Sequence, residues 1–243
     1  AFNEERITRT VMRPLLPVLK DLAESHLTHR SFRIDNFFYK DVSLGDLMIG
    51  EGFSAPPAMY QPALFEPIES AQAEAGGRGV GSSRDDLYSF GVCLAIMILG
   101  RNPVADKTDE EIIEQKLREG TYATVLGDTR VGLGLMEPLR GLLTDDPRER
   151  WSVMELELWL NGRRLSPKQP KLPQKAGRPF KFEDKEYLTT PLLANAMTKH
   201  WTNGVRSITA DPIDVWLRRG FEDEDLTKAY NDAIRQAAAF GGD

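Results

Sequence analysis

The sequence predicts a mainly α-helical protein: a large helical bundle with a small β-hairpin, then a small C-terminal helical module. Three observations predict it. Apolar residues recur at helical spacing through most of the first 160 positions. Capping residues and prolines punctuate that pattern. After Asn161 the texture turns basic and proline-rich, and helical patterning then resumes.

Taken in order, Ile7, Val11, Leu15, Leu16, Val18, Leu19 and Leu22 line one broad face of a helix over 5–26. Pro14 and Pro17 predict a kink or a late start there. "NFFY" and "LMIGE" are two short strands around the polar turn "KDVSLGD". Residues 54–83 are loop-like, with a short helix expected over "ALFEPIESAQAEA". "GGRGVGSS" follows no strand, so it is expected to be a loop and not a phosphate cradle. Residues 84–99 are apolar all round, as in a buried helix, and Cys93 within them is expected to be a structural thiol. Thr108 and Glu111 form a capping-box pattern at the start of an amphipathic helix over 108–119. Two more helices, 132–144 and 151–161, flank "DDPRER".

These elements give a first domain over 1–162. Residues 163–179 read as a basic, proline-rich linker: from Arg163 to Lys181 there are seven Lys or Arg and no acid. Residues 180–243 form the small module. "FKFEDKEY" is a candidate hairpin, Thr190-Pro191 and Asp211-Pro212 are helix starts, and a last helix runs from about Asp223 to Phe240. His200 and Trp201 are expected to be a core or rim aromatic pair.

Composition narrows the function classes. The 243 residues are 41% hydrophobic and 28% charged, enough for a packed core. A net charge of −6 argues against nucleic acid as a partner for the whole chain. The single cysteine excludes an internal disulfide framework and points to a reducing, cytoplasmic setting. "FGVCLAIMILG" is too short to span a bilayer, so no membrane partner is expected. The charged start "AFNEERITRT" is no signal peptide, and without an initiator Met it predicts a fragment or a processed product. His26, His29 and His200 are scattered and show no zinc-type spacing, so no metal centre is predicted from them.

Four motifs occur in one order. "HRSFRIDN" (29–36) matches the loop pattern H-R-D-L-x-x-x-N at His29, Arg30 and Asn36, with Ser31 where that pattern has Asp. "DDLYSFGVCLAIMILGRNP" matches D-x-[WY]-S-x-G followed by an apolar run and G-x-x-P. "DEEIIEQKLREG" follows as an amphipathic helix, and "EPLRGLLTDDPRERWSVMELELW" matches L-L-x-x-D-P-x-x-R-x-[ST]. From Ile7 to Asn161 the chain resembles the C-terminal lobe of eukaryotic-like protein kinases, in a degenerate, bacterial-looking form. That resemblance implies three structural positions. Asp86 would reach the backbone of the "HRSFRIDN" loop. Arg150 would pair with the glutamate that ends the activation segment, for which Glu66 in "LFEP" is the candidate. His29 would pack beneath the loop.

The resemblance also implies a catalytic set, and much of it is missing. Ser31 has no group that accepts a proton at neutral pH. Asp35 is the nearest carboxylate, in a position usually occupied by a bystander. The metal-binding carboxylate has two candidate positions: Glu51, if D-F-G reads E-G-F after the strand alternation of Leu47 and Ile49, or Asp46 in "LGDLM". Asn36 is the second vestigial metal position. No glycine-rich strand–loop–strand and no strand lysine precede residue 7, and only Ser54 and Tyr60 carry hydroxyls before "QPALFEP". The expectation is a catalytically inactive pseudokinase that acts as a signalling scaffold or regulator, with no cofactor. Its protein partner would use either the face that an N-terminal lobe would cover or the basic segment, where "PKQPKLP" fits P-x-x-P. The alternative is a divergent Ser/Thr kinase or nucleotidyl transferase that uses ATP with Mg or Mn through a lobe outside this chain.

Overall fold

The structure is a computed structural model and describes residues 2–41, 47–52, 55–166, 169, 172–209 and 212–239. It is mainly helical, with two small antiparallel hairpins. The chain divides into two compact units, Ala1–Lys171 and Leu172–Asp243. The division falls inside the basic stretch.

The first unit opens with α1 (Glu4–Ile7), whose N-cap Asn3 accepts the Arg6 N–H at 2.8 Å. One π-helical turn, Thr8–Met12, joins it to α2 (Arg13–Glu24). The wider turn lies where the Pro14 ring would otherwise meet the carbonyl four residues back. The apolar stripe survives this irregularity: Ile7, Val11, Met12, Leu15 and Leu19 are all buried.

A 3-10 turn (Ile34–Asn36) leads into β1 (Phe37–Tyr39), which pairs antiparallel with β2 (Leu47–Ile49) in the register Phe38↔Met48. The helix expected over "ALFEPIESAQAEA" is instead three short pieces: a 3-10 turn Ala63–Phe65, α3 (Ile68–Ala71) and a 3-10 turn Ala75–Gly77. Pro67 explains the break, because it disfavours helical dihedrals at the residue before it, and Glu66 is extended at φ −95°, ψ 133°.

The buried helix α4 (Ser83–Leu99) starts in a capping box between Ser82 and Asp85 and stops at Gly100, whose φ of +68° suits glycine. Every residue from Asp86 to Ala95 is buried. α5 (Asp109–Glu119) carries the predicted Thr108–Glu111 capping box. α6 (Thr121–Leu126) was not legible as a separate helix; Gly120, at φ +83°, splits it from α5. α7 (Leu133–Leu142) and α8 (Val153–Leu160) complete the unit. The core gathers Leu15 from α2, Phe90 and Leu94 from α4, Leu139 and Leu142 from α7 and Leu156 from α8.

The second unit has its own core. β3 (Phe180–Phe182) pairs with β4 (Lys185–Tyr187), and α9 (Thr190–Lys199), α10 (Trp201–Thr209), α11 (Pro212–Phe221) and α12 (Glu224–Ala239) follow. Phe180, Phe182, Leu193, Trp216, Leu217 and Phe221 are buried together. The Trp216 indole N–H donates to the Arg178 carbonyl at 2.7 Å, which satisfies its one polar atom. His200 lies edge-on to Phe182 at 6.3 Å between centroids, while Trp201 is 65% exposed. Among the described residues, no helix is long and apolar enough to cross a membrane.

Candidate functional site

The site is a loop held between the end of α2 and β1, and Asp86 organises it. The Asp86 carboxylate is buried at the start of α4 and accepts the backbone N–H of His29 at 2.7 Å and of Arg30 at 2.8 Å. Arg30 has φ +58°, a left-handed conformation that a non-glycine residue holds only when its surroundings impose it. The two bonds from Asp86 impose it. Burial pushes the Asp86 carboxyl up to about 6, against the two N–H donors that favour its charged form.

His29 packs under the loop. Its Nε2 is 2.9 Å from the Gly50 carbonyl, and its ring meets Phe32 edge-on at 5.3 Å. Burial lowers the imidazole pKa, so the ring is neutral at pH 7 and donates its Nε2–H to Gly50. A Cβ at Gly52 would collide with this ring, so the backbone after β2 can lie here only as glycine.

Ser31 and Asn36 face each other across the loop. The Asn36 amide nitrogen donates to the Ser31 carbonyl at 3.0 Å, to the Glu51 carbonyl at 2.8 Å and, at 3.3 Å, to the Ser31 hydroxyl. Asn36 therefore ties the loop to the segment after β2. Glu51 is exposed. Asp35 is exposed and paired with Arg33 at 3.0 Å. Ser31, Asn36, Glu51, Gly52, Tyr60 and Gln61 line a cleft of about 360 Å³. Asp46 and Ser54 lie outside the described residues. Among the described residues, no three His, Cys, Asp or Glu side chains cluster as a metal site would require.

The expected Glu66–Arg150 pair does not form. Glu66 pairs with Arg30 at 2.8 Å, with both side chains buried, and accepts the Ser70 hydroxyl at 2.7 Å. Arg150 pairs with Glu69 at 3.0 Å and with Asp85 at 3.3 Å. Because Pro67 starts a new helical turn, the glutamate that reaches Arg150 is the one three residues later. Asp85 lies 3.4 Å from Arg30 as well, so Glu66–Arg30–Asp85–Arg150–Glu69 is one continuous ionic chain. Sequence reasoning missed Asp85 and Glu69. The doublet "DD" at 85–86 was the available signal for Asp85.

It also missed Lys116. This α5 side chain is buried, and its ammonium donates to the carbonyls of Ala63, Leu64 and Glu66 at 2.7, 2.9 and 2.8 Å. Burial pushes its pKa down to about 7. An amphipathic pattern gives no sign that one lysine of a charged helix faces inward.

No family model matches the chain. Curated protein kinases match part of it. The calcium and calcium/calmodulin-dependent serine/threonine-protein kinase DMI-3 of Medicago truncatula is 24% identical over 163 residues, 63% of this chain and 30% of its own length. Serine/threonine-protein kinase 40 of Homo sapiens is 24% identical over 161 residues, 63% of this chain and 35% of its own length. The calcium and calcium/calmodulin-dependent serine/threonine-protein kinase of Pisum sativum is 25% identical over 170 residues, 66% of this chain and 32% of its own length. The chain is protein-kinase-like. It spans about a third of the length of the curated relatives it matches. In this kinase-like domain the ionic chain from Glu66 to Glu69 joins the loop that carries Ser31 to Arg150.

Proposed function

We propose that the kinase-like domain is catalytically inactive and serves a cytoplasmic signalling assembly as a scaffold or regulator that binds a protein partner. One observation carries this reading: Ser31, which faces the Asn36 amide across the loop, stands where a carboxylate would orient the attacking hydroxyl. Phosphoryl transfer depends on positioning and charge stabilisation. A hydroxyl of ordinary acidity supplies neither a base nor a negative charge. The exposed Phe38–Met48 pair on the hairpin is a candidate partner surface.

The competing reading, a divergent kinase or nucleotidyl transferase, draws on the cleft beside Ser31 and on the names of the relatives. Incubation of the full-length protein with labelled ATP and Mg or Mn separates the two. The inactive reading expects no phosphate release above a Ser31→Ala control and no thermal shift with nucleotide. It also expects Ser31→Asp to restore nothing, because that change leaves E-G-F at 51–53 where the pattern has D-F-G. Turnover in the wild type, or in Ser31→Asp, would sink it.

A further inference from the structure

The outer wall of the cleft, residues 58–66, is built largely from side-chain bonds to its own backbone. Ala58, Tyr60 and Gln61 line the cleft. Behind them, Arg78 donates to the Ala58 carbonyl at 3.1 Å and the Gln61 carbonyl at 2.6 Å. Lys116 takes three further carbonyls, at Ala63, Leu64 and Glu66, and Asp109 on the same helix accepts the Ala63 N–H at 3.1 Å. The far end of the wall is Glu66, which holds Arg30 and through it the Ser31 loop. A displacement at Lys116 therefore acts directly on residues 63–66 and reaches the cleft-lining residues 58–61 through the chain that joins them.

Lys116 is an unusual anchor. It is 1% exposed, and among the described residues no carboxylate forms an ion pair with it. Neutral carbonyls offset only part of the cost of taking an ammonium out of water. The charged groups facing it are Asp145, Glu66 and Asp109, which favour the ammonium, and Arg150, which opposes it; its nitrogen also lies 5.1 Å above the Tyr88 ring.

We propose that Lys116 makes the cleft wall proton-sensitive: acidification favours conformations in which residues 58–66 lift away and the ammonium reaches water. The sign follows from linkage. With the wall closed the amine loses its proton near 7; in water it does so at 10.5. The closed wall binds fewer protons across that interval, so lowering pH populates the open form. The effect is about tenfold between pH 8 and pH 6. The inference concerns the wall alone and holds whether or not the cleft transfers phosphoryl groups.

Hydrogen exchange on the full chain tests it. The reporters are the amides of Gln61, Ala63, Phe65 and Glu66, each hydrogen-bonded in the closed wall. After correction for intrinsic exchange, their protection relative to α4 amides should be about tenfold lower at pH 6 than at pH 8. In Lys116→Met the ratio should be independent of pH. Equal pH dependence in wild type and variant would overturn the proposal. Should Lys116→Met fail to fold, side-chain NMR of Lys116 in the wild type decides. A titration midpoint more than one pH unit below 10.5 sustains the proposal, and a smaller displacement overturns it.

Discussion

Asp86 shows how one buried carboxylate sets a loop and also a pH dependence of unusual sign. Most surface and paired carboxylates protect a fold above their pKa and fail it in acid. Asp86 runs the other way. Its folded value is raised to about 6 from 3.8, so the folded state takes up a proton first as pH falls. Its contribution to stability therefore grows as pH drops from about 6 to about 4. Urea titrations of wild type and Asp86→Asn should show it. The variant loses one of the two N–H acceptors and is less stable at pH 7 by about 1–3 kcal/mol. That deficit should widen by roughly 2–3 kcal/mol between pH 7 and pH 4. A deficit that narrows in acid would mean that the two backbone donors outweigh burial.

Elements that announce themselves by period and cap were legible in the sequence: the buried helix at 83–99, the capped helix at 109–119 and both hairpins. Elements set by a single backbone torsion were not. α6 is separated from α5 only by Gly120, and α10 from α9 only by His200 at ψ 56°. The loop residues His29, Arg30, Ser31 and Asn36 could be located because their spacing is local, and the structure brings them together. The ionic partners could not be located, because a three-residue shift between Glu66 and Glu69 depends on where Pro67 restarts the helix. The network makes a quantitative distinction between these two glutamates. Glu66 is fully buried, so Glu66→Gln strands Arg30 and should cost about 3–5 kcal/mol. Glu69 is 38% exposed and shares Arg150 with Asp85, so Glu69→Gln should cost about 1 kcal/mol or less. Thermal denaturation of the two variants reads the difference directly. Equal losses would mean that the buried chain is not the stronger link.

At the scale of the whole molecule, the two apolar cores share no residue. The first draws on positions from Phe2 to Leu165, the second on positions from Ala176 to Tyr230. Between them lies a stretch whose prolines and like charges favour extended chain over packing. Among the described residues, each core is drawn from its own unit. A polypeptide of residues 1–171 should therefore melt cooperatively, within about 2 °C of the corresponding transition in the full chain, since a loss of 1 kcal/mol would move a unit of this size by about 2–4 °C. Residues 172–243 are too few to bury a large fraction of their surface, so that unit should melt separately, with a smaller enthalpy. Calorimetry of the full chain and of the two pieces checks both statements. A single transition in the full chain, or a first unit that loses several degrees on its own, would show that the two cores depend on each other for stability.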